Sequence, residues 1–361
     1  MTTEHPDWGR RLSDTLRAAI GRGDLGAALT LAREGDGQAR SLASEFLLMS
    51  RGLGITVRVL LGQLGALTPP GASVPDGEAF ARDLHRLLAD FRASLDAPQD
   101  GPGSVLGEGL ASRQAIEPAR DAAAIGSGAE SLAEAAAITL RVLQARQQRF
   151  EVDQTQAAQR VIDALTAGDA VQASDWLDRK ELHDYLPYHD RLVRFMAESF
   201  GFVLERFGAE GMLRFHLDTA EGQRPGFEKW EKQSAAEFAR TSAFLLKQHM
   251  GRVTVTEDDD KFTIEQTPCG SGGRLQIQGA YRGPRPLPFV TTPGPLTLGA
   301  PRMPVYCSHC PAWNGVATMR WFGRAHWVFE NPARPDGSCT LHIHKRPDTV
   351  PAEFNARLAP F

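Results

Sequence analysis

The stretch Arg252-Val253-Thr254-Val255-Thr256-Glu257-Asp258-Asp259-Asp260-Lys261-Phe262-Thr263-Ile264-Glu265 decides the fold class of this chain. Apolar residues at 253 and 255, and again at 262 and 264, alternate with polar residues on each side of the acidic run 257–260. Alternation with a period of two is typical of strands with one buried face, and the acidic run between them indicates a turn. The stretch therefore predicts a β-hairpin, and it marks the change from helical to strand patterns.

The residues after the hairpin continue the strand pattern. Leu275, Ile277 and Gly279 keep the alternation, whereas the many prolines between 283 and 304 predict a loop across the edge of the domain. Two closing strands are predicted from Trp327, Phe329, Leu341 and Ile343. The last third of the chain is therefore expected to form an antiparallel sheet.

The chain before the hairpin is predicted to be helical. Three groups of residues recur at spacings of three and four, as on the buried face of a helix, and a fourth group marks a further helix. The groups are Phe80, Leu84, Leu87, Leu88, Phe91 and Leu95; Leu132, Ala136, Leu140 and Leu143; Leu192, Phe195, Ser199, Phe202 and Val203 in a helix that begins near His189; and Trp230, Phe238 and Leu245 in a helix towards His249. The fold class is therefore α+β, with a helical N-terminal region before a C-terminal antiparallel-sheet domain that carries the cysteines.

Two helical segments resemble each other. Ala18-Ala19-Ile20-Gly21-Arg22-Gly23-Asp24 is similar to Asp163-Ala164-Leu165-Thr166-Ala167-Gly168-Asp169, at an offset of 145 residues. Such a repeat indicates an internal duplication of a helical unit, although alanine-rich helices also align by chance. We expect a helical unit over 1–96, a linker rich in Gly, Pro, Ser and Ala over 97–128, a second helical unit over 129–250 and the sheet domain over 251–361.

The composition argues against several classes of protein. The chain has 361 residues, 42% of them apolar, and a net charge of -4, so no basic surface for nucleic acid is expected. No stretch approaches 18 apolar residues, which argues against a membrane span. The first residues lack a basic segment followed by an apolar core, and four cysteines suit a reducing compartment, so we expect a cytoplasmic protein. The oligomeric state does not follow from these observations.

The four cysteines, all in the last third, are the leading candidates for chemistry. They are Cys269, Cys307, Cys310 and Cys339. The Cys-x-x-Cys pair at 307 and 310 can give two thiolates to one soft cation, and the other two cysteines can complete a tetrahedron. Four cysteine ligands would form a closed, structural zinc site, whereas water or His309 in place of one would leave a reactive site. Iron is the other metal that such ligands suit.

The cysteines can also be explained without a metal. They can be small buried thiols, a redox pair or a nucleophile. Cys269 begins the turn Cys269-Gly270-Ser271-Gly272-Gly273-Arg274, in which the amides of Gly272 and Gly273 can hold an anion and Arg274 adds positive charge. Glycine-rich turns also occur for conformational reasons alone.

Several histidines are candidate proton carriers or ligands. His189, which precedes Asp190 at a helix start, can act as a general base. The alternative is a structural role, in which this pair of residues caps the helix and nearby tyrosines pack against it. His342 and His344 share one face of the last strand, where they can chelate zinc with His326 or face solvent.

Three pieces of about the last 110 residues carry a resemblance to known families. They are Phe262-Thr263-Ile264-Glu265 before Cys269, then Tyr306-Cys307-Ser308-His309-Cys310, then Cys339-Thr340-Leu341-His342-Ile343. In this order they resemble the 4-vinyl-reductase type of small-molecule-binding domain and the related aminothiazoline-carboxylate hydrolase-like proteins. The resemblance implies a small-ligand pocket beside a cysteine or zinc cluster, with helices as its wall.

The sequence therefore predicts a cytoplasmic enzyme with hydrolase- or lyase-like chemistry on a small substrate. Zinc on the four cysteines would polarise the substrate or activate water, and His309 or His189 would move protons. Arg274 and the glycine turn would hold a carboxylate, and Trp313 would line the pocket. The alternative is a non-catalytic ligand-binding or sensor protein with a closed four-cysteine zinc site.

Overall fold

The computed structural model describes residues 2–67, 75–96, 132–330 and 337–358. The chain divides into two compact units, which we call the helical unit (Arg11–Leu192) and the sheet unit (Met1–Arg10 with Val193–Phe361). The four-part division expected from the sequence stays a prediction, and its linker at 97–128 lies outside the described residues. In the described part of the chain, no helix is long and apolar enough to cross a membrane.

The helices and strands follow one another in a simple order. In sequence they are β1 (Thr3–Glu4), α1 (Pro6–Gly9), α2 (Leu12–Gly21), α3 (Leu25–Leu67), α4 (Pro75–Asp96), α5 (Leu132–Thr166), α6 (Ala170–Asp178), a π-helical segment (Arg179–Tyr185), α7 (Leu186–Glu221), α8 (Arg224–Glu231), α9 (Ala235–Gln248), β2 (Val253–Glu257), β3 (Lys261–Gln266), α10 (Gly272–Ile277), β4 (Phe289–Val290), a 3-10 turn (Pro295–Thr297), β5 (Met303–Pro304), a 3-10 turn (Val305–Ser308), α11 (His309–Pro311), a π-helical turn (Ala312–Ala317), α12 (Thr318–Phe322), β6 (Val328–Glu330), β7 (Cys339–His344), a 3-10 turn (Pro347–Thr349) and α13 (Ala352–Leu358). This order of helices before a sheet confirms the α+β class.

The apolar spacings in the sequence correspond to buried helical faces. In α4 every member of the predicted face except Leu87 is buried: Phe80, Leu84, Leu88, Phe91 and Leu95. Burial of such a stripe is the main source of stability for a helix in water, because an isolated helix is marginal. The predicted helix from Trp230 to His249 is wrong in one respect, since it is two helices, α8 and α9, with Ser234 as the N-cap of the second.

Two turns in the helical unit have the same hydrogen bonds. Gly23 and Gly168 adopt φ angles of 74° and 77°, which favour glycine. The following Asp24 and Asp169 each cap the next helix, with Oδ1 accepting from the amide three residues on, at 3.0 and 2.8 Å. Ten buried residues of the core around these turns form five pairs at an offset of 145: Leu16 and Val161, Ala19 and Ala164, Ile20 and Leu165, Ala28 and Ala173, Ala32 and Leu177.

The sheet unit is built on a five-stranded antiparallel sheet with the order β1-β2-β3-β7-β6. The predicted hairpin is β2 and β3, and the two predicted closing strands are β6 and β7. The register pairs Val255 with Ile264 and Ile264 with Leu341, so apolar residues of three strands line up on one buried face. The side chains of His342 and His344 lie on the opposite face of β7.

Two parts of the sheet unit differ from the sequence expectation. The predicted strand through Leu275, Ile277 and Gly279 is wrong, since residues 272–277 form the short helix α10. The strand β1, which pairs Thr3 with Glu257, has both residues exposed and so carries no alternating pattern. The proline-rich loop contains the small two-stranded sheet of β4 and β5.

Candidate functional site

The pairing of β3 with β7 brings two cysteines to the same end of the sheet. Cys339, the first residue of β7, pairs in register with Gln266, the last residue of β3, and Cys269 follows three residues later. The hydroxyl oxygens of Thr267 and Ser338 lie 2.6 Å apart and link the two segments.

Cys307 and Cys310 reach the same region from consecutive turns of the backbone. Cys307 lies in the 3-10 turn and Cys310 in α11, so that both thiols come from one short stretch. The four cysteines form six pairs, and in each pair the charge of one thiolate raises the pKa of the other thiol. The four thiols, each partly buried, are therefore electrostatic neighbours.

Glycine at two positions of the Cys269 turn permits this approach. A methyl group at Gly272 would lie 2.7 Å from Cys307 Sγ and 3.1 Å from a ring carbon of Tyr306. A methyl group at Gly270 would collide with the carbonyl of His249. The two glycines are therefore required by close packing. Gly273 is buried beside them at the start of α10.

Burial keeps three of the four thiols protonated. The pKa values of Cys307, Cys310 and Cys339 are raised above the ordinary value of 9.0. Burial is the largest cause, and the charge of neighbouring cysteines is the second. A nucleophilic cysteine needs a lowered pKa, so the environment of these three thiols does not favour that role. A bound soft cation would reverse the balance, because thiols lose their protons when they coordinate a metal.

The thiols are not arranged as a finished metal site. Within the described ranges, no three His, Cys, Asp or Glu side chains are placed so that they could hold a metal ion. Metal binding at the cysteines would therefore require rotation of thiol side chains. Such rotations about χ1 between staggered conformations are ordinary for cysteine.

His309 presents a lone pair to one of the thiols. Its Nδ1 donates to the carbonyl of Tyr306, which leaves Nε2 without a hydrogen, 3.5 Å from Cys310 Sγ. Burial lowers the pKa of His309 to about 4 despite that hydrogen bond, so the ring is neutral near pH 7. A histidine that donates one ring N–H to a backbone carbonyl and faces a thiol with the other nitrogen has the usual arrangement of a metal-binding histidine.

His216, which the sequence reasoning missed, lies behind His309. Ser308 donates to the carbonyl of Val305 at 2.6 Å, so His216 Nε2, 3.1 Å away, must be the donor to the Ser308 hydroxyl. The pKa of this fully buried imidazole lies well below 6.5, mainly because of burial and secondly because of the charge of His309. His216 lies on the buried stripe of α7 together with Met212, Phe215 and Thr219. A histidine at helical spacing with these residues is the sequence pattern that could have identified it.

Aromatic rings surround these imidazoles. The ring of Trp313 lies 4.7 Å from that of His309 and 6.1 Å from that of His216, and Phe200 lies 4.6 Å from His216. Tyr306 is buried and hydrogen-bonded to Ser271. Trp313, Tyr306 and Phe200 therefore form an apolar wall next to the thiols, of which the sequence singled out only Trp313.

Arg274 contacts the backbone. Its Nε donates to the carbonyl of Gly270 at 2.8 Å, and its Nη2 donates to the carbonyl of His249. These bonds hold the Cys269 turn against the end of α9. The predicted role of Arg274 in binding a carboxylate stays a prediction.

His189 belongs to the helical unit, whereas the four cysteines belong to the sheet unit. It is fully buried, its Nδ1 lies 2.8 Å from Asp190 Oδ1, and its ring stacks on that of Tyr185. This environment corresponds to the packing role that the sequence left open, and the role as a general base stays a prediction.

Comparison with known protein families, curated proteins and solved structures found no match to this chain. The resemblance to 4-vinyl-reductase-type and aminothiazoline-carboxylate hydrolase-like domains therefore stays a prediction.

Proposed function

We propose that this chain is a cytoplasmic small-molecule enzyme with a zinc/thiolate centre, and that it performs hydrolase- or lyase-like chemistry. The observation that carries the proposal is a group of four cysteine thiols that are electrostatic neighbours, one of which, Cys310, lies 3.5 Å from the lone pair of the neutral His309. Zinc prefers cysteine sulfur and imidazole nitrogen above other protein ligands, and iron accepts the same set.

The charge of the site favours a mixed set of ligands. Zn²⁺ with four thiolates carries a net charge of about -2, whereas three thiolates with neutral His309 carry about -1. Burial penalises the larger charge more strongly. We therefore propose that His309 takes the place of one cysteine among the ligands, and that one further coordination position is open to the substrate.

The surrounding residues suit a small substrate with an apolar part. Trp313 and Phe200 supply an apolar surface, and the buried hydroxyl of Tyr306 stays protonated because burial raises its pKa. A metal at this position would supply Lewis acidity. As a metal ligand His309 would not itself move protons, and an anionic substrate would be held by Arg274.

Elemental analysis of untagged protein tests the metal. We expect about one zinc or iron per chain, and loss of the metal in Cys307→Ser. His309→Ala should keep the fold and lose metal if the site is mixed, whereas His342→Ala, on the opposite face of β7 from Cys339, is the matched control and should keep it. A folded, metal-free wild type would overturn the proposal.

A second candidate is a non-catalytic small-ligand-binding or sensor protein with a closed four-cysteine zinc site. Arg274 bonds to backbone carbonyls and the glycines permit close packing of the backbone, so these residues have structural roles that favour the non-catalytic candidate. Cobalt-substituted protein separates the two candidates, because cyanide changes the visible spectrum only when one coordination position is open. A changed spectrum supports the enzyme, and an unchanged one supports the closed site.

We also propose that the helical unit arose by internal duplication of a hairpin of helices. The two matching glycine–aspartate turns and the five core pairs at a constant offset support this proposal.

A further inference from the structure

A pocket of about 30 Å³ lies beside the turn between α8 and α9. No cysteine lines it, so its function is independent of the proposed thiol site. Its walls include aromatic rings and three uncharged polar side chains, from α8, α9, the turn between them, β7 and the segment before β6. These residues are Trp230, Phe238, Gln233, His326 and His344.

His326 presents a buried acceptor at this pocket. Its Nε2 lies 2.8 Å from Glu231 Oε2, and a carboxylate only accepts, so Nε2 carries the hydrogen. Burial lowers the pKa of His326, so the ring is neutral and Nδ1 is a lone pair. Nδ1 is buried and has no hydrogen-bond partner among the residues that the structure describes, and the side chain as a whole is 5% exposed.

His344 presents a second nitrogen lone pair. Thr349 donates its hydroxyl hydrogen to the carbonyl of Arg346 at 2.8 Å, so the bond of 2.9 Å between Thr349 and His344 Nδ1 has the imidazole as donor. Burial is the main reason that the pKa of His344 is lowered, so this ring is also neutral near pH 7. Its hydrogen is on Nδ1, and Nε2 is therefore an acceptor.

Gln233 adds an amide oxygen. Its Oε1 is buried and accepts no hydrogen bond from the described part of the chain. Three acceptors from three segments thus line one pocket. A buried acceptor without a donor is unfavourable, so a partner that donates hydrogen bonds would stabilise His326 Nδ1 and Gln233 Oε1, and His344 Nε2 offers it a third acceptor.

The two arginines at the pocket are engaged elsewhere. Arg324 makes two contacts with Glu231, at 3.1 and 3.0 Å, and Arg346 pairs with Asp260 at 2.9 Å. Their positive charge still disfavours a cationic ligand, and the three lone pairs repel an anion. A neutral ligand meets both conditions.

We infer that this pocket binds the head group of a small neutral molecule with at least two N–H or O–H donors, such as a primary carboxamide. The volume accommodates about two water-sized groups, which corresponds to one head group of that kind. The rings of Trp230 and Phe238 would contact its apolar stem.

Three molecules of the same shape test the inference on the full chain: acetamide, which is neutral, acetate, which is an anion, and acetamidinium, which is a cation. The signal is the indole N–H of Trp230 in ¹⁵N-tryptophan-labelled protein. We expect a saturable shift with acetamide, with a dissociation constant in the millimolar range for so small a ligand. Acetate and acetamidinium should bind at least tenfold more weakly.

Gln233→Met removes one acceptor at similar size and should weaken acetamide binding at least fivefold. Gln172→Met, at an exposed glutamine of the helical unit, is the matched control and should leave it unchanged. The inference is overturned if acetamide gives no saturable shift, if a charged molecule binds equally well, or if Gln233→Met binds like wild type. A shift with zinc chloride and none with acetamide would overturn it in favour of a metal site on the two imidazoles.

Discussion

Gly272→Ala adds one methyl group between two side chains of the thiol site. The new carbon would lie 2.7 Å from Cys307 Sγ, whereas ordinary contact begins at 3.4 Å, so the two atoms must separate by about 0.7 Å. The side chain of Tyr306 is 4% exposed and hydrogen-bonded to Ser271, so the ring has little room to move. The thiol of Cys307 must therefore move instead. Overpacking of this kind costs about 1–3 kcal/mol, and we expect about 2 kcal/mol here.

The free energy of unfolding in urea measures this cost. Gly226→Ala, in α8, is the matched control, because a methyl group there has no atom within 4 Å. In a helix, alanine is favoured over glycine by about 1 kcal/mol, so the control should be as stable as wild type or slightly more stable. Equal stability of Gly272→Ala and wild type would refute the packing argument.

The zinc affinity of the same variant gives a second, separate result. Displacement of Cys307 Sγ from the other thiols should weaken zinc binding at least tenfold. If the variant is destabilised but binds zinc as wild type does, Cys307 is not a metal ligand.

Two further predictions concern the helical unit. Leu84→Ala removes a fully buried side chain and should lower the free energy of unfolding by about 2–5 kcal/mol, whereas Val171→Ala, at a side chain that is 75% exposed, should change it by less than about 0.5 kcal/mol. Burial, followed by the charge of Asp153, raises the pKa of Asp184 from 3.8 to about 6. Between the two pKa values the folded state therefore keeps the proton on Asp184, whereas the unfolded state has released it. The free energy of unfolding should increase as the pH falls from about 7 to 4, by up to about 3 kcal/mol. Asp184→Asn should be more stable than wild type at pH 7.5 and lose this part of the pH dependence, which urea unfolding at pH 7.5 and 4.5 measures. Asp175→Asn, at an exposed position, is the control, and an unchanged pH dependence in Asp184→Asn would contradict the assignment.

The sequence predicts the hairpin and the closing strands because their side chains alternate between a buried face and an exposed one. Residues 275–279 show the same alternation, yet they belong to α10 and the turn after it. The amide of Arg274 bonds the carbonyl of Cys269, and that of Leu275 bonds the carbonyl of Ser271. These bonds within the turn override a pattern of three residues, which is too short to separate helix from strand.

The candidate site is less accessible to sequence reasoning than the fold. The four cysteines are visible as a residue type, but His216 contacts Ser308 across 92 residues of sequence. Likewise, the tautomer of His309 depends on a backbone carbonyl whose position only the fold determines. Residue type and spacing suggest chemistry, whereas the direction of a lone pair is a tertiary property.

The pairing of β1 with β2 has a consequence for synthesis on the ribosome. Residues 3–4 join their sheet only through a strand some 250 residues later in the chain. Since Arg11–Leu192 forms a compact unit of its own, its residues emerge together and can fold while translation continues. The N-terminal strand must wait for its partner until the hairpin at 253–266 has left the exit tunnel. A substitution in β1 would therefore perturb the last step of sheet assembly, not the first.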